Sequence, residues 1–222
     1  MISAKQLRQG AIALMGFEVG LALTYGIMVG HRGEAIPLLD FNGLRSLPSL
    51  LQAAHLLALS GLCGYLVSQR RRLVRPCSWF LPLALALLCG FGAIDELTKL
   101  HLTLPQVNWK LIYLSLLVAI PLVGWRDLRW LWQTQHPIVV QVGLGLGVFL
   151  LGGFGAEAAK GAIATTLTAS ADPQLVVYSE HLRITVEEFA ELLGETIILY
   201  SFAQFTQQNL RPPALISPQG KG

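Results

Sequence analysis

Apolar residues arrive along this chain in blocks of roughly 20, the length a helix needs to cross the hydrocarbon core of a bilayer. Short stretches rich in charge, proline or glycine separate them. The blocks predict six spans, at 11–30, 48–68, 78–101, 107–125, 137–159 and 184–205. The expected fold is all-α, a polytopic membrane helical bundle of six transmembrane helices. It forms one domain over 1–209, with a disordered tail at 210–222 that carries Pro212, Pro213 and Gly220. Two long connections, 31–47 and 160–180, fall on the same side, where such loops often cover a site.

The last block departs from the others. It is hydrophobic enough to sit in a membrane, yet it carries Glu187, Glu188, Glu191 and Glu195. At about 100° per residue the four fall within one arc about 100° wide, with His181 near its edge if the helix starts early. A charged carboxylate in a bilayer costs about 2.5–3.5 kcal/mol even on the lower scales, so this stripe requires cations, protons or a metal against it.

Composition agrees with a membrane domain: 53% of the 222 residues are hydrophobic and 13% charged, where soluble domains carry about a quarter. The three cysteines, Cys63, Cys77 and Cys89, lack a CxxC spacing and read as buried thiols. The sign of each loop says more than the net charge of +3. With both termini cytoplasmic, the inner segments hold Lys5, Arg8, Arg70, Arg71, Arg72, Arg75, Arg126, Arg129, Arg211 and Lys221, and of the acids only Asp127. The positive-inside rule favours that orientation, in a bacterial inner or internal membrane. These basic turns are short and explained by orientation, so no nucleic-acid partner is expected. Membrane lipids, and with them a membrane-soluble small molecule, are the expected partners. Trp79, Trp109, Trp125, Trp130 and Trp132 cluster near span ends, as interfacial rings do.

Several spans bring polar groups to one depth. Span three ends with Asp95, Glu96, Lys99 and His101, span five with Glu157 and Lys160, and span six begins with its glutamates. His55 lies in the outer half of span two, and Glu18 near the middle of span one. Bland readings exist for each. Asp95 with Lys99 (i, i+4) and Glu157 with Lys160 (i, i+3) can neutralise one another locally. His55 can be a hydrogen-bonded core residue. His101 lies 240° round from Asp95 on a regular helix, so the two meet only if the helix unwinds before Pro105. Even with these pairs an excess of carboxylates remains. A divalent metal (Mn, Fe or Zn) held by Glu188, Glu191, Glu187, Glu96, Asp95, Glu157 and His101 would balance it, as oxygen-rich sets with imidazole do. Neither ExxH nor HExxH occurs in the chain, so di-iron and zinc-protease signatures are absent. Protons on the carboxyls are the other solution, with Glu18, Glu195 and His55 as a proton or ion path. The glycines of span five, Gly143, Gly147, Gly152, Gly153 and Gly155, include a GxxxG spacing expected to pack within the bundle rather than form a homodimer face.

An Asp-Glu with a following His at the end of one span, a Glu after a glycine-rich run, and a final span opening with EExxE resemble a group of uncharacterised bacterial multi-pass membrane proteins. The residues that carry this resemblance are Asp95, Glu96, His101, Glu157, Glu187, Glu188 and Glu191, and Leu102 stands where that group often has Glu. The resemblance implies no activity. The residues leave three functions open: a metal-dependent enzyme acting on a lipid-like substrate, a proton- or cation-coupled transporter, and a non-catalytic membrane subunit or assembly factor.

Overall fold

The computed structural model describes residues 3–41, 43–73, 78–103, 106–168 and 173–209, and within them the chain is built of α-helices. In chain order these are α1 (Ala4–Arg32), α2 (Leu47–Ser68), α3 (Phe80–Thr98), α4 (Leu100–Thr103), α5 (Trp109–Val123), α6 (Trp125–Thr134), α7 (His136–Thr168) and α8 (Pro173–Asn209). A single 3-10 turn, Arg70–Arg72, follows α2. Local signals set the ends. Ser3 and Gln6 form a reciprocal capping box on α1, which stops at Gly33 in the left-handed region (φ 73°). Ser46 caps α2 ahead of Pro48, and Asn108 caps α5.

Among the described residues, four helices are long and apolar enough to cross a membrane: Ala4–Arg32, Leu47–Ser68, Phe80–Thr98 and His136–Ala156. A fifth span requires counting α5 and α6 together, although their axes differ by 72°. The expected span four is therefore not one straight helix. Pro121 lacks the amide that would bond back one turn, the helix ends at Gly124, and the 15 residues of α5 reach only about 22 Å. The expected span six lies within α8, whose charges separate it from the four plainly apolar helices. The 160–180 connection is also corrected, because α7 continues to Thr168 and α8 begins at Pro173. The tail at 210–222, Cys77 and Arg75 lie outside the described residues.

Packing is inverted relative to a water-soluble protein. Large apolar side chains such as Leu23, Ile27, Leu87, Leu122 and Leu151 point outward, while Glu18, His55, Glu195, Thr196 and Ser201 are buried. Solvent on that outer surface must be hydrocarbon. Helix α8 is the hub, packed against α7, α1 and α2, while α2 in turn carries α3. Contacts running Gly30 to Tyr178 and Tyr25 to His181 show α1 and α8 antiparallel. The 33–46 connection folds back onto this pair. Its Phe41, 1% exposed, sits edge-on to Tyr25 at 5.2 Å and joins Leu21, Val29 and Leu192 in one apolar cluster. At the opposite end Leu66, Leu73, Ile138 and Phe205 form a second cluster.

Backbone proximity joins α7 to α8. A Cβ on Gly194 would lie 2.6 Å from the Gly145 carbonyl oxygen, and one on Gly152 would lie 2.3 Å from the Ala190 Cβ. The GxxxG pair itself, Gly143 and Gly147, faces open space, as does Gly155. Glycine-mediated packing within the bundle is present, but Gly145, Gly152, Gly153 and Gly194 make it. Gly194→Val is expected to destabilise the protein by about 1–3 kcal/mol, the usual cost of overpacking a tight interface. Thermal unfolding in detergent checks this, with Gly143→Ala and Gly147→Ala as variants expected to leave the midpoint unchanged.

A buried Glu-His-Glu centre between three helices

Helix α1 buries one face, on which Glu18, Leu21, Tyr25 and Val29 follow one another at helical spacing. Three of these are apolar or aromatic; Glu18, with no exposed surface, is the exception. His55 of α2 (3% exposed) and Glu195 of α8 (2% exposed) lie beside it. The imidazole stands between the carboxyls: Nε2 is 3.7 Å from Glu18 Oε1, and Nδ1 is 3.5 Å from Glu195 Oε2. Glu18 Oε1 accepts a hydrogen bond from the Thr196 hydroxyl. Among the described residues, Glu18 Oε2, both His55 nitrogens and both Glu195 oxygens have no hydrogen-bond partner; Gln52 lies near Glu195 but donates to Glu191. The expected ion-path residues, Glu18, His55 and Glu195, are thus one cluster built from three helices.

The residues expected to hold a metal are divided among separate partners. Asp95 accepts from the His101 amide (2.8 Å) and the Tyr113 hydroxyl (3.0 Å), and His101 Nδ1 lies 3.1 Å from its Oδ2. This requires the break anticipated before Pro105: Lys99 takes a left-handed conformation (φ 49°), and the short α4 brings His101 back to Asp95. Lys99 consequently pairs with Glu96 rather than with Asp95. Glu187 pairs with Arg183 at 2.6 Å, and the same guanidinium binds Glu180. That contact holds the Glu180 carboxyl below its ordinary range. The associated stability is present above the ordinary carboxylate value and is lost as pH falls through the lowered one.

Glu191 accepts from Gln52 Nε2 at 3.0 Å, and its Oε1 occupies the space that a side chain at Gly153 would need. Glu188 interacts electrostatically with Glu191, Lys99, Glu96 and Glu187. The acids of α8 therefore lie within electrostatic reach of Glu96 on α3. Glu157 belongs to α7 by its backbone, but its side chain lies outside the described residues. Among the described residues, no three His, Cys, Asp or Glu side chains stand where they could hold a metal ion together. Asp95, Glu96, Glu187 and Glu191 instead each contact a separate cation or donor: His101 and Tyr113, Lys99, Arg183 and Gln52.

These contacts define a polar column. Glu96 and Lys99 lie where α3 stops, within electrostatic reach of Glu188, about four turns into α8. Glu191 and Gln52 come next, with Gln52 also facing Glu195, and the Glu-His-Glu centre lies at the bottom. Beside it lies Cys89 of α3, and beyond it the buried thiol of Cys63 on α2. Ser201 and Thr206 donate to carbonyls of their own helix, and the cluster of Leu66, Ile138 and Phe205 closes that side. Sequence reasoning missed Gln52, Thr196 and Tyr25. The spacing of Glu18 with Leu21, Tyr25 and Val29 was a usable signal for the last. No one-dimensional signal marks Thr196, since hydroxyls are common on buried helix faces.

Asp95 has three groups depending on one carboxyl, so Asp95→Asn should cost about 1–3 kcal/mol. Glu96→Gln, which removes one partly exposed pair, should cost less. Denaturation midpoints of the two variants in detergent measure the difference.

No curated protein and no solved structure matches the chain. A family profile does match, over residues 11–205, which takes in the polar column and the buried centre. The chain belongs to the DUF8692 family, a domain of unknown function.

Proposed function

We propose that the protein is a proton- or cation-coupled membrane transporter in which Glu18, His55 and Glu195 carry the coupling ion. The observation that carries this reading is the imidazole suspended between two buried carboxyls, with both ring nitrogens and three carboxyl oxygens lacking a hydrogen-bond partner among the described residues. Buried groups of this kind normally have partners, and two bare carboxylates in that volume would be prohibitively costly. A proton or small cation balances them.

The chemistry follows from the tautomers of a neutral imidazole, in which one ring nitrogen donates and the other accepts. With Nε2 protonated, its N–H donates to an ionised Glu18, and Nδ1 accepts from a protonated Glu195. Moving the Glu195 proton to Nδ1 and the Nε2 proton to Glu18 gives the mirror state. One proton has crossed from α8 to α1, the ring has exchanged tautomers, and the cluster still carries one negative charge. The present separations, 3.5 and 3.7 Å, are just beyond hydrogen-bonding range, so a small ring rotation engages one carboxyl or the other.

Topology supports transport as well. Because α8 packs along α1, α2 and α7, it crosses wherever they cross, giving six spans if α5 and α6 together make one. The positive-inside rule then puts both termini in the cytoplasm of the cell. In that orientation the column of Glu96, Glu188, Glu191 and Gln52 leads inward from the outer face, and the apolar cluster seals the cytoplasmic side. The divalent metal expected from the sequence has less support, because its ligands are committed to separate partners. A lipid-modifying enzyme would also need reactive groups facing a substrate, and the least satisfied groups here are the deepest.

Proteoliposomes loaded with a pH-sensitive dye test the reading. A potential imposed with potassium and valinomycin should drive proton movement through the wild type. Glu195→Gln and His55→Phe should each return it to the background of protein-free vesicles, while Glu187→Gln should leave it largely intact. Proton movement equal to wild type in both centre variants would overturn the proposal.

A further inference from the structure

The other end of the bundle carries a different kind of surface. Helix α6 leaves the axis of α5 at 72° and buries none of its residues fully. Taking about 100° per residue, Leu131, Leu128, Trp132 and Trp125 share an arc about 120° wide, and Arg129 and Arg126 lie beyond its edge. Leu131 anchors this helix by packing on the cluster of Leu66, Leu73, Ile138 and Phe205. Leu73 directly follows the Arg70–Arg72 turn, so that turn and α6 meet around the same apolar cluster. Arg70, Arg71, Arg126 and Arg129 are all exposed there, as are Trp125 (58%) and Trp132 (52%). The one acid of α6, Asp127, is occupied, since it accepts from both the amide and the hydroxyl of Ser78.

We propose that α6 and the Arg70–Arg72 turn form a docking surface for anionic phospholipid headgroups. Charge complementarity selects the occupant. Four exposed guanidiniums share this surface, and its nearest carboxylate is spent on Ser78. Arginine suits phosphate because its planar fork donates two parallel hydrogen bonds. Leucine and tryptophan on the same short helix need hydrocarbon and the interface at the same time. A lipid offers phosphate to one face of α6 and acyl chain to the other, whereas a nucleic acid or an acidic peptide would leave Trp125 and Trp132 without an apolar partner. This inference does not rest on the transport reading, because no residue of the surface belongs to the buried centre.

Tryptophan quenching by brominated lipids tests it on the full chain reconstituted in vesicles, since three of the five tryptophans lie in α6. Brominated phosphatidylglycerol should associate more tightly than brominated phosphatidylcholine by about fivefold for each arginine that engages a headgroup, and high salt should narrow the gap. Arg126→Gln with Arg129→Gln should bring the two lipids close together, while Arg126→Lys with Arg129→Lys should keep part of the preference. Equal quenching of the wild type by both lipids would overturn the proposal even if a variant failed to insert. A wild-type preference left intact by Arg126→Gln with Arg129→Gln and by Arg70→Gln with Arg71→Gln would overturn it too.

Discussion

The structure turns on the contact between His55 and two carboxyls, Glu18 and Glu195, at the junction of three helices. Charge is expensive in hydrocarbon, and a fold that gathers three titratable side chains where almost no surface is exposed needs something protic or positive to hold them. Several features follow from keeping that junction closed. Phe41 joins Leu21, Tyr25, Val29 and Leu192 in an apolar cluster between α1 and α8. Glycines at 145, 152 and 194 bring α7 against α8 along the flank, and Glu191 and Gln52 extend the polar groups on the side of α3.

Electrostatic sorting explains why the acids divide as they do. Near the end of the bundle, where water and flexible cations are at hand, each carboxylate finds its own partner: Lys99 for Glu96, Arg183 for Glu187, and the His101 amide and Tyr113 hydroxyl for Asp95. Deeper in the bundle, lysine and arginine give way to the Gln52 amide and then to an imidazole. Under the transport proposal, this gradient from full ion pairs to an imidazole between two carboxyls suits a group that exchanges its ion with one side of a membrane. A tight metal cage would instead draw these carboxylates together.

Much of the fold was legible because hydrophobic blocks and helix length carry strong one-dimensional signals. The helices around Glu18, His55 and Glu195 fall where the apolar blocks put them, and an acid near the middle of an apolar block pointed to Glu18. Pairing between helices was not legible. Asp95 and Lys99 are well spaced for a helical ion pair, yet the left-handed turn at Lys99 reverses the geometry and gives Asp95 to His101. Likewise the GxxxG spacing marked the right helix but the wrong glycines, because spacing alone does not say which face α8 will choose. The shared arc of the four α8 glutamates suggested one centre; its width of about 100° was enough for them to meet different neighbours.

The most direct measurement is the infrared difference spectrum of the reconstituted protein as bulk pH is stepped through neutrality, read at the carbonyl stretch of protonated carboxylic acids. The account predicts such a band in the wild type, sensitive to deuteration and diminished or shifted by both Glu18→Gln and Glu195→Gln. A spectrum without the band, or one that both substitutions leave untouched, would contradict a proton shared across the imidazole.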